Sequence, residues 1–98
     1  MTNFSAKRLY SVVIRTVKGC SQYQIAAQSP SQAAILVMKQ LGSKGVTINN
    51  STVNAGVELL KPNECYARVD LLRLDEQYPN KYIYKTTHFY HIKTKITF

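Results

Sequence analysis

No Asp or Glu occurs between Met1 and Val57, and none between Gln77 and Phe98. Both ends of this 98-residue chain therefore carry cations without counter-charges, and all five acids (Glu58, Glu64, Asp70, Asp75, Glu76) sit between them. Cysteine is scarce. Cys20 and Cys65 stand 45 residues apart, whereas small disulfide scaffolds usually carry four, six or eight cysteines. With only four Gly and three Pro and no low-complexity tract, the composition is that of a globular chain. No run of about 18 apolar residues is present, which excludes a membrane-spanning helix. The start MTNFSAKRLY lacks the apolar core of about 7–15 residues that a secretory signal needs. The expectation is a cytoplasmic protein with free thiols, in which the sequons at Asn49 and Asn50 carry no weight.

What remains is basic and apolar. Thirteen Lys+Arg against five Asp+Glu give a formal charge of +8, and 45% of residues are hydrophobic. The length suits one domain over 1–98, with residues 1–6 as a frayed polar arm. Such a chain buries roughly two-thirds of its unfolded surface, enough for one modest core. Its charge favours anionic partners and also serves solubility.

Lys7–Val17 is rich in β-branched and aromatic residues and predicts a strand apolar on both faces at its centre. Lys18-Gly19 supplies a turn, and Cys20–Ala27 returns with Tyr23, Ile25 and Ala27 on one face. Helix signals follow over residues 30–41. Ser29 is an N-cap, Pro30 sits in the first turn, Gln32 completes a capping box, and Gly42 provides the left-handed residue past the end. Ala34, Val37, Met38 and Leu41 form its core stripe, expected to pack on Val13, Ile25 and Val69. Val46–Ile48 suits a short strand, NNSTVNAG a loop, and Glu64–Asp75 a strand with Tyr66, Arg68 and Asp70 on one face.

The closing segment, KYIYKTTHFYHIKTKITF, alternates an apolar register with a basic one. Its 18 residues exceed the usual strand length, so a bend, a bulge or a second hairpin turn is expected near Lys85–Thr87 or after His91. The expected fold is α+β: a mostly antiparallel sheet of four to five strands with one helix on one face.

The chemistry-bearing residues are few. GSKG is too short for a phosphate-binding fingerprint, and no nucleophile signature pairs a Cys with a His. Cys20, Cys65, His88 and His91 have the residue types of a zinc site without its close ligand spacing. The expectation is therefore no enzyme, no metal and no cofactor. Lys81, Lys85, His91, Lys93 and Lys95 project from one side of the closing segment if it is extended, with Phe89 among them. Lys7, Arg8, Arg15 and Lys18 extend that surface if the first hairpin lies alongside. Cations spaced along a strand can follow a phosphate backbone, and an exposed aromatic ring gives any base a face to stack on. A binding module for nucleic acid, tolerant of sequence, is the expected function. The alternative is a protein-binding inhibitor or adaptor, a form common among small virus-encoded proteins, that docks on an acidic or nucleic-acid-binding surface of a partner protein.

Overall fold

The structure is a computed structural model that describes residues 6–51, 60–74 and 82–96, with side chains described for all of these except 74 and 82–86. Five strands and one helix follow in the order β1 (Arg8–Thr16), β2 (Gly19–Ala27), α1 (Pro30–Gln40), β3 (Thr47–Ser51), β4 (Glu64–Leu74) and β5 (Tyr82–Lys93). The strands form one antiparallel sheet, ordered β2-β1-β4-β5-β3, with α1 packed on one face. The α+β architecture is as the sequence implies.

β1 and β2 join through Val17-Lys18, one residue earlier than the Lys18-Gly19 turn expected, and Thr16 pairs with Gly19. Gly19 takes φ +134°, where a side chain would be strained. Ser29 caps α1 by accepting from the Gln32 N–H at 3.1 Å. The Gln32 side chain accepts from the Gln28 N–H, one residue before the cap. At the far end Gly42 has φ +82°, and the N–H groups of Gly42 and Ser43 donate to the carbonyls of Lys39 and Met38.

Alternation assigns the faces. Tyr10, Val12 and Ile14 of β1, Cys65, Ala67 and Val69 of β4 and Tyr90 and Ile92 of β5 point to the helix side, where they meet Ala33, Ala34, Val37 and Met38. Two core expectations fail. Val13 lies on the opposite face, because its neighbours Val12 and Ile14 take the helix side. Leu41 is 38% exposed: the helix ends at Gln40, and Leu41 is its C-cap rather than part of the buried stripe. β3 also runs further than expected, taking in Asn49, Asn50 and Ser51 by pairing with β5.

The irregularity expected near Lys85–Thr87 is present. From Asp70 to Leu72 β4 advances two residues while β5 steps back three, from Thr87 to Tyr84. This bulge breaks the single alternation read through the closing segment, which therefore holds for Thr87–Lys93 alone. Among the described residues no helix is long and apolar enough to cross a membrane.

Candidate functional site

The face turned away from α1 is built from three central strands. Directly paired residues share a face, so the registers define its rows. One row runs Cys20, Arg15, Tyr66, His91, Asn49; the next runs Gln22, Val13, Arg68, Phe89, Ser51. A third carries Gln24, Ser11, Asp70 and Thr87, and Lys93 pairs with Glu64 and Thr47 at the margin. Tyr66, Phe89 and His91 thus lie side by side, all half-buried, with the Tyr66 and His91 rings 5.4 Å apart at 47°. Arg15 flanks this aromatic group on the β1 side, Arg68 divides Phe89 from Val13, and Lys93 is exposed at its edge.

Between β2, β1 and β4 the same face sinks into a groove of about 440 Å³, bordered by Arg15, Gln22 and Arg68 and floored by Ser11 and Asp70. Ser11 is 1% exposed and accepts from the Gln22 amide at 2.8 Å. Asp70 is 3% exposed, and a buried carboxylate needs partners to offset its lost hydration. It accepts from Arg68 Nε at 3.1 Å and from the Thr87 hydroxyl. Arg68 keeps 47% of its side chain exposed, so the outer end of its guanidinium remains available to a ligand.

The second acid of this region, Glu64, is also engaged. Its carboxylate accepts from the Lys61 N–H at 3.2 Å and lies 2.7 Å from His91 Nε2. Burial alone would push the Glu64 carboxyl upward. The Lys61 N–H and the neighbouring His91 and Lys93 outweigh it and hold the group below the ordinary carboxylate range. Both acids being paired, the outward field of the face falls to Arg15, Lys93 and the outer atoms of Arg68. The chain matches no protein-family model, no curated protein and no solved structure.

The nominated residues separate into groups. Phe89, His91, Lys93 and Arg15 converge on this face, and Lys18 stands exposed in the turn beyond Arg15. Lys95 leaves the sheet: its N–H donates to the Lys44 carbonyl at 2.9 Å, and its stem lies over Gly45, where a Cβ would stand 2.9 Å from Lys95 Cε. Lys7 and Arg8 are exposed at the opposite end of the sheet, where Arg8 lies near Leu72 and Arg73. Lys81 and the Lys85 side chain lie outside the described residues. His88 is half-buried on the helix side, parallel to the Tyr90 ring at 6.4 Å. Both cysteines are free thiols. Cys20 is exposed, and burial pushes Cys65 up to about 12. Tyr66 and Arg68 were not singled out in the sequence. Their only signal was a shared register on β4, and their importance depends on which strands flank β4.

Proposed function

We propose that the helix-free face of the sheet binds single-stranded nucleic acid, without reading base sequence and without catalysis. The observation that carries this is the adjacency of Tyr66, Phe89 and His91 with Arg15, Arg68 and Lys93 on one open surface. Half-buried rings on a sheet present a fixed π-face, and only unpaired bases can be laid flat on it. The three cations stand at its borders, where a phosphate backbone passing over stacked bases would run. Paired acids limit the repulsion such a backbone would meet.

The test is an anisotropy titration of oligo-dT and oligo-U over a range of salt. Contacts from Arg15, Arg68, Lys93 and Lys18 predict a log–log slope of about −3, at roughly 0.7 per contact for single strands. Replacing Arg15 and Lys93 together by Gln flattens the slope by about 1.4 and weakens all sequences alike. Phe89→Ala costs about 1–3 kcal/mol with the slope unchanged, since stacking releases no counterions. No binding of either oligomer at low salt overturns the proposal and leaves the face to an acidic protein partner.

A further inference from the structure

β2 is an edge strand, and among the described residues it carries none of the usual protections. Natural sheets blunt their edges with short strands, charged side chains, Pro or bulges. β3, the other edge, is five residues long. β2 (GCSQYQIAA) runs nine residues with no charge, no Pro and no register shift against β1, and among the described residues no strand pairs with its outer side. On a molecule of net charge +8 it is a charge-free strip, along which two copies can meet without placing like charges opposite each other.

The register of such a meeting follows from the hairpin. Across the two-residue turn Thr16 and Gly19 form a hydrogen-bonded pair, so Ser21, Tyr23, Ile25 and Ala27 direct their backbone groups at β1. Cys20, Gln22, Gln24 and Ala26 direct theirs outward. One antiparallel alignment, centred on Tyr23, matches all four outward residues of one copy with those of another: Cys20 with Ala26, and Gln22 with Gln24, each pair occurring twice. The same alignment sets Ile25 of the second copy opposite Ser21. Ser21 lines a mainly apolar cleft of about 370 Å³ with Ile14, Tyr23, Leu41 and Ile96. Leu41, the hydrophobic side chain left 38% exposed at the end of α1, thereby acquires an apolar neighbour.

We propose that two copies of this chain pair antiparallel through β2, about a two-fold axis at Tyr23, into one continuous ten-stranded sheet. The axis is normal to the sheet, so both helix-free faces lie on the same side and the two Arg15 strands stand three strand spacings apart, about 14 Å. This assembly does not rest on the nucleic-acid reading.

The decisive measurement is the molar mass of the nuclease-treated protein in about 0.5 M salt, by sedimentation over a range of concentrations. A monomer–dimer equilibrium is expected. Gln24→Pro, which removes an outward N–H that the monomer does not use, weakens it at least tenfold. A second variant guards against misfolding of the first. Ala26→Cys places a thiol opposite Cys20 of the other copy at roughly the 5.5 Å Cα spacing a disulfide needs, and out of reach of Cys20 in its own chain. Oxidation with diamide then yields a covalent dimer, whereas the parent, with Cys20 facing Ala26, remains uncross-linked. A monomer at all concentrations overturns the proposal. So does a dimer that Gln24→Pro leaves intact, or covalent dimer formed equally by the parent through Cys20 alone.

Discussion

Asp70 is a carboxylate at 3% exposure on a surface proposed to meet anions, and it holds that position through two neighbours, Arg68 Nε and the Thr87 hydroxyl. The same bond that neutralises Asp70 fixes Arg68 across the face, so a ligand meets a guanidinium already ordered. Thr87→Val removes one of the two partners and should cost about 1 kcal/mol, read as a lower urea midpoint at unchanged slope. Glu64 makes a separate contribution that depends on pH. Its folded pKa lies below the unfolded value of about 4.3, so the stabilisation is complete above that value. It is lost as pH falls through 4.3 towards the lower folded value. Thermal unfolding between pH 5 and 3 should therefore show a steeper loss of stability in the parent than in Glu64→Gln. Equal slopes would mean that the His91 and Lys61 contacts do not stabilise the carboxylate.

Among the elements, α1 concentrates the packing energy. Val37 and Met38 are fully buried against the sheet, and Leu41, one turn on, is not. Met38→Ala should cost about 2–5 kcal/mol, a large share of the stability of a domain this size, while Leu41→Ala should leave the melting temperature nearly unchanged under conditions that keep the protein monomeric. The start of α1 was legible, and its stop to within one residue, because they rest on local signals, namely Ser29, Pro30, Gln32 and Gly42, each acting within a turn of its own position. The hairpin and the bulge near Lys85–Thr87 were legible for the same reason, since alternation and strand length are short-range properties. Strand order was not. β1 pairs with β4 across some fifty residues, and no local pattern states that Arg15 will stand beside Tyr66 or Arg68 beside Phe89. The candidate site was therefore half visible: Phe89, His91 and Lys93 share one strand, whereas Tyr66 and Arg68 enter through a long-range pairing. Lys95 misled because alternation was carried past Lys93, where Thr94 and Lys95 turn to bond with the Lys44 carbonyl.

On the scale of the whole molecule, a charge of +8 acts within extents of 42 × 34 × 23 Å. At about 0.01 M salt the Debye length is about 30 Å, comparable with those dimensions, so every cation repels every other. At about 0.15 M it is about 8 Å, and repulsion survives only between close neighbours. Adding sodium chloride over this range should therefore raise the melting temperature of the free protein by a few degrees, because self-repulsion opposes the compact state. Affinity for a single strand should move the other way. With a slope near −3, the same fifteenfold rise in salt weakens oligonucleotide binding roughly a thousandfold or more. A bound oligomer stabilises by mass action, so its excess melting temperature over the free protein should be largest at low salt and vanish as salt rises. Two melting curves per salt concentration, with and without oligo-dT, test this directly. A solvated wall of lysines gives the rise in the free protein with no excess at any salt, and that outcome would remove nucleic acid as the ligand of this face.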